Sequence, residues 1–191
     1  MKVSGRLIAQ STFLFSAVIT ACIAFTSPSE KPPEAPPILI AYKDSGGIWT
    51  LCDGVTYING RRVKQGDTAT LELCTILENE AHAEAVRAVG RLITVELPLE
   101  SFLAFEDLAY NAGAGTLAGS TMRRMANAGD LRGACLQFPR FKYAYAERGD
   151  VRDMRDGVRD GKALCTIRAN QCYGVIVRRQ EQMAQCLKGV K

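Results

Sequence analysis

The apolar and polar positions of this 191-residue chain fall into three regimes. The first is a continuous run without charge, Leu7 to Phe25, diluted by Gln10, Ser11, Thr12, Ser16 and Thr20. A helix of that length, at about 1.5 Å per residue, reaches about 28 Å, close to the ~30 Å hydrocarbon core of a bilayer. Lys2 and Arg6 flank it on the N-terminal side only. This pattern predicts a weakly inserting transmembrane or signal-anchor helix within residues 1–26, with the N-terminus inside and the rest exported. A cleaved signal peptide is one alternative. A lipoprotein signal ending in Ile19-Thr20-Ala21-Cys22 is another, although apolar residues continue past Cys22. Residues 27–37 hold Pro28, Pro32, Pro33, Pro36 and Pro37, and predict a semi-rigid, extended linker. A folded domain is expected over 38–191.

The second regime is short and strand-like. Ile38 to Tyr42 is apolar, Gly46-Gly47 interrupts, and Ile48 to Thr56 is rich in β-branched and aromatic residues. Asn59-Gly60 then marks a tight hairpin. The third regime has helical period. Leu73, Ile76, Leu77, Ala81, Ala85 and Val89 recur at three and four, with Asp67, Thr68 and Thr70 as candidate N-caps and Gly90 as the stop. Pro98 opens a further helix that buries Phe102, Phe105, Leu108 and Ala109 and ends at the 111–115 stretch. Ser120 and Asp130 cap two more, the latter reaching Phe138, and Tyr173 to about Leu187 forms the last. The fold class is therefore α+β: a small β-hairpin lobe followed by a mostly helical lobe.

Composition is that of an ordinary globular protein, 47% hydrophobic and 23% charged. The net charge of +4 is too small to argue for nucleic acid, and the single histidine, His82, excludes a His-rich metal centre. Seven cysteines point to an oxidising compartment with one thiol left over. Outside the N-terminal run, six cysteines allow 15 pairings in principle. Chain locality suggests Cys165–Cys172 as a loop staple, Cys52–Cys74 as a sheet-to-helix tie and Cys135–Cys186 as a long-range bridge. No Cys-x-x-Cys pair is present, so no metal or cofactor is expected. Glu147 to Lys162 alternates acids and bases at helical spacing, and with the cysteines after it suggests a solvated, Cys-bounded insert over 147–172.

Four segments carry a resemblance. Ala41 to Thr50 (AYKDSGGIWT), Leu108 to Gly115 (LAYNAGAG), Gly119 to Arg124 with Asn127 to Asp130, and Cys172 to Arg179 (CYGVIVRR) occur in the order and spacing of phage-type lysozymes, glycoside hydrolase family 24. The chain resembles that family over most of Ile38 to Leu187. The resemblance implies a lysozyme-like fold and a monomeric enzyme acting on peptidoglycan glycan strands. The weakly apolar N-terminus resembles the signal-arrest-release anchors of phage endolysins. That implies export to the periplasm of a Gram-negative host, tethered at first to the inner membrane.

Glycosidic cleavage needs an acid to protonate the leaving oxygen and a second group to serve the sugar cation or its water. The resemblance implies a Glu, an Asp and a Thr, and Asp44 and Thr50 match the motif. The family's Glu position, eight residues before the Asp, is Ala35 here, so Glu34 is the candidate acid, with Glu106 as another carboxylate that could serve. Asp53-Gly54-Val55 stands where many relatives carry an aromatic-Gly-His, and the His is absent. The expected activity is hydrolysis of the β-1,4 bond between N-acetylmuramic acid and N-acetylglucosamine, by inversion. Ala35 motivates the alternative of a catalytically weak peptidoglycan-binding relative. A lytic transglycosylase, which manages with one Glu, is disfavoured by the retained Asp44 and Thr50.

Overall fold

A computed structural model describes residues 1–30, 37–44, 47–52, 54–145, 158–159, 162–166 and 172–190. In chain order the elements are β1 (Lys2–Val3), α1 (Gly5–Gln10), α2 (Thr12–Glu30), β2 (Ile38–Lys43), β3 (Trp49–Cys52), β4 (Tyr57–Ile58) and β5 (Arg61–Arg62). Then follow α3 (Leu71–Leu92), β6 (Leu97–Pro98), α4 (Leu99–Ala112), α5 (Ala114–Ala118), α6 (Thr121–Asn127) and α7 (Leu131–Cys135). A 3-10 turn (Phe138–Arg140), β7 (Tyr143–Tyr145), β8 (Val158–Arg159), β9 (Lys162–Leu164) and α8 (Tyr173–Lys188) complete the α+β arrangement.

Two compact units divide the chain: 1–28, 79–140 and 180–191 form one, and 29–78 with 141–179 form the other. The first is helical. Phe102, Phe105, Leu108, Leu117, Met122 and Phe138 are fully buried in it, and the rings of Phe105 and Phe138 meet edge to face at 5.9 Å. Ser120 and Asp130 cap α6 and α7 by accepting the Arg123 and Gly133 amides; such caps are worth about 1 kcal/mol each. α7 ends at Cys135, short of the Phe138 expected from the pattern. The second unit packs Leu51, Val55, Ile58, Val63 and Leu77 around the Cys52–Cys74 disulfide. Asn59 and Gly60 both take positive φ, 50° and 73°, as a primed hairpin turn between β4 and β5 requires.

The three disulfides join Cys52 to Cys74, Cys135 to Cys186 and Cys165 to Cys172, the pairing suggested by chain locality, and leave Cys22 as the free, buried thiol. The 51-residue separation of Cys135 and Cys186 gives that bridge about 4 kcal/mol in the loop-entropy account.

The N-terminal run is packed into the first unit. Among the described residues, no helix is long and apolar enough to cross a membrane. The run breaks at Ser11, whose hydroxyl accepts the Leu14 amide and so starts α2 afresh. Residues 1–28 belong to the first unit. β1 pairs antiparallel with β6, and α2 buries Val18, Ile19, Cys22 and Thr26. Thr26 donates to the Asp107 carboxylate at 2.9 Å. Thr26, just past the run, thus finds a polar partner inside the protein, which a bilayer core does not offer. α2 also continues through Pro28 to Glu30, so residues 27–30 of the expected extended linker are helical; residues 31–36 lie outside the described residues. Gly90, expected to end α3, lies inside it instead. It faces Gly5 so closely that a Cβ on Gly5 would stand 1.9 Å from the Gly90 carbonyl oxygen. Of the charged insert, Val158–Arg159 pairs with Lys162–Leu164, which pairs on its other edge with β7; residues 146–157, 160–161 and 167–171 lie outside the described residues.

Candidate active site

Asp44 and Thr50 are presented by one hairpin of the second unit. β2 and β3 pair antiparallel, with Tyr42 opposite Thr50 and Lys43 opposite Trp49. Between them the chain turns on Asp44. Its amide donates to the Ile48 carbonyl at 3.0 Å, its carbonyl accepts Gly47 N–H at 2.9 Å, and its Oδ1 accepts Ile48 N–H at 2.8 Å. Gly47 takes φ 77°, a conformation that favours glycine. The carboxylate is therefore oriented by the turn it closes. The Thr50 hydroxyl donates to the Ile48 carbonyl at 3.0 Å, which leaves its oxygen in the accepting role. Ile48 thus connects the two side chains, holding one through N–H and the other through C=O. Asp44 is half-buried, and Thr50 is only 1% exposed.

The hairpin is braced on its other edge. Ala41 N–H donates to the Asp67 carbonyl and Ala69 N–H to the Leu39 carbonyl, so 67–69 runs beside β2. Asp67 is not a helix cap. Its carboxylate receives both terminal nitrogens of Arg61, at 2.7 and 3.0 Å, and the Lys64 amide at 2.9 Å. These donors, the guanidinium first, hold the Asp67 carboxyl at a pKa of about 2. Thr70 is the residue that caps α3, accepting the Leu73 amide. Lys43 lies 5.7 Å over the Trp49 ring.

Glu34, Ala35 and Asp53 lie outside the described residues. Glu106, the other acid considered, is fully buried on α4 in the first unit. Its Oε1 is 2.9 Å from His82 Nδ1, and it has no exposed surface on which a polymeric sugar could dock. The sequence reading missed this burial, although Glu106 falls one turn from Phe102 on the face assigned to the core. Among the described residues, no group of three or more His, Cys, Asp or Glu is placed to hold a metal ion.

The model of the family described as phage lysozyme matches residues 38–158. A SAR-endolysin of Enterobacteria phage P21 is 37% identical over 128 residues, covering 67% of this chain and 76% of its own. A probable prophage lysozyme of Escherichia coli (strain K12) is 32% identical over 154 residues, covering 80% and 77%. Among solved structures, an endolysin from Escherichia coli O157:H7 phage FAHEc1 superimposes with a TM-score of 0.64 at 24% identity, covering 91% of this chain and 92% of its own. With the motifs, the α+β fold and these relatives in agreement, the chain belongs to the phage lysozyme family and is a glycosidase of the muramidase kind.

Proposed function

We propose that the enzyme hydrolyses the β-1,4 bond between N-acetylmuramic acid and N-acetylglucosamine in peptidoglycan, and so lyses the host cell. The observation that carries this reading is the joint anchoring of Asp44 and Thr50 on Ile48 in a chain of this family. Glu34 protonates the leaving glycosidic oxygen. Asp44 accepts a proton of the attacking water or balances charge on the sugar ring, and Thr50 accepts the water's other hydrogen. Buried as it is, Thr50 serves an enclosed water rather than a sugar hydroxyl. A water attacking from the face opposite the acid gives inversion.

The enzyme acts as an exported monomer, and the relatives named SAR-endolysin support a periplasmic site of action. Before it docks, the segment 1–26 tethers the chain weakly to the inner membrane. The polar positions that dilute Leu7 to Phe25 make extraction from lipid less unfavourable than for a uniformly apolar helix.

Turbidity loss of outer-membrane-permeabilised cells tests the reading. The wild-type chain clears the suspension, while Asp44→Asn and Thr50→Val slow clearing at least a hundredfold with the fold retained. Clearing at wild-type rate by folded Asp44→Asn excludes Asp44 from the chemistry. A second reading, a wall-binding protein with little activity, is favoured by Ala35 at the family's acid position. It predicts peptidoglycan pull-down without clearing.

A further inference from the structure

α2 covers a buried polar cluster that the glycosidase reading does not use. On α4, Glu106 and Asp107 are adjacent and 0% and 1% exposed. Asp107 accepts from the Thr26 hydroxyl of α2 and from the Gln182 side-chain amide of α8. Glu106 has a different environment. Oε1 faces His82 Nδ1 of α3 at 2.9 Å, and the imidazole is stacked flat on Tyr110 of α4, centroids 4.2 Å apart. The Cys22 thiol of α2 lies against the same carboxyl as a weak donor. Among the described residues, Oε2 meets no N–H or O–H donor, and it is sealed from water. Arg87 of α3 sits 5.0 Å over the Phe15 ring of α2.

We propose that Glu106 and His82 form a proton-linked latch for the N-terminal helix: with α2 docked the pair keeps one proton, and losing it to solvent drives α2 off. With a proton on the pair, either Glu106 is neutral or its carboxylate faces an imidazolium, and both arrangements can be buried. Without it, two anionic carboxylates stand side by side under α2, one of them with an undonated oxygen. Neither the Cys22 thiol nor neutral His82 offsets that charge. Water reaches Glu106 when α2 lifts, by the local opening available to a peripheral helix.

The direction of the linkage follows. Burial, reinforced by the neighbouring Asp107 charge, raises the Glu106 carboxyl above its ordinary value of 4.5, while His82 and Cys22 oppose the rise in part. A group raised in the docked state stabilises docking fully below its undocked value. That stabilisation is lost as pH climbs through the docked value, by at most about tenfold in the docking equilibrium per pH unit. The helix is therefore held more tightly in acid than at neutral pH.

Cys22, the free thiol of the chain, reports on the latch directly. N-ethylmaleimide alkylation of the full-length protein is followed by mass spectrometry from pH 5 to pH 8. At each pH the rate is divided by that of the guanidinium-unfolded, disulfide-intact chain, which removes the thiol's own titration. We expect protection of Cys22 to fall at least tenfold between pH 5 and pH 8. Glu106→Gln, close in shape but without a titrating carboxyl, should hold protection within twofold over that range. In His82→Gln, where the imidazole no longer opposes the rise, the fall should move to higher pH. Constant wild-type protection, or a Glu106→Gln protein with the wild-type fall, overturns the proposal. Should Glu106→Gln fail to fold, an unmoved fall in His82→Gln overturns it instead.

Discussion

Asp44 Oδ1 takes the Ile48 amide at 2.8 Å, so a substitution there changes a turn as well as a charge. Asparagine keeps an accepting oxygen in place. Asp44→Asn should therefore leave thermal stability within about 1 kcal/mol while lowering kcat by roughly 10²–10⁴-fold, the range for a lost general acid–base group. KM should hardly move. Asp44→Ala should lose the turn bond too and melt earlier, and comparing the two in scanning calorimetry separates the roles. Asp67 is a contrasting residue. Its bidentate partner Arg61 and the Lys64 amide lower its pKa to about 2. A lowered carboxyl stabilises the folded state above the unfolded value, near 3.8, and that contribution disappears as pH falls through about 2. Acid melting curves of Asp67→Asn should lack this part of the wild-type slope, and an identical slope would show that the clamp contributes nothing.

The helices were legible at the scale of elements because their signals are local. The 3.6 period from Leu73 to Val89, the Ser120 and Asp130 caps and the Asn59-Gly60 turn each sit within a few residues of the structure they set. Gly90 misled because a glycine near the end of a periodic run has two uses, as a terminator or as a place of close approach. Its partner, Gly5, is distant in sequence and invisible to any local pattern. A Cβ on Gly90 would come within 2.9 Å of the Gly5 Cα, and one on Gly5 would strike the Gly90 carbonyl. Alanine at Gly90 gains about 1 kcal/mol of helix propensity against overpacking of about 1–3 kcal/mol. Gly5→Ala, at the first residue of α1, meets the closer contact. Denaturant unfolding should thus show Gly5→Ala the more destabilised, with Gly90→Ala near neutral to mildly destabilised. The reverse order would mean that α1 does not press on α3 in solution.

For the molecule as a whole, the N-terminal run is packed into the first unit, an arrangement that composition cannot reveal. A diluted apolar run suits a marginal membrane helix and also a core helix with polar contacts. The packed arrangement has its own partners, Asp107 for Thr26 across 81 residues and Glu106 for Cys22, and these are invisible to a local pattern. The hairpin carrying Asp44 and Thr50 was legible because its motif is compact and its geometry is set by the turn at Gly47 and Ile48. For the acid, the sequence offers Glu34 one residue before the family position at Ala35, an offset small in sequence and large on the scale of a reacting bond. Long-range covalent closure also acts at this scale. Replacing Cys135 and Cys186 together by alanine should lower unfolding free energy by about 4 kcal/mol in urea titrations, and a change under 1 kcal/mol would contradict that account.

The central claim is glycosidic hydrolysis with Glu34 as the acid, and the chemistry of the released sugar ends tests it most directly. Purified peptidoglycan is digested with the full-length protein and with Glu34→Gln, and the soluble muropeptides are resolved by mass spectrometry. The account predicts reducing N-acetylmuramic acid ends from the wild-type protein and at least a hundredfold fewer from Glu34→Gln. Anhydro-muramic ends, or undiminished release by Glu34→Gln, would contradict it.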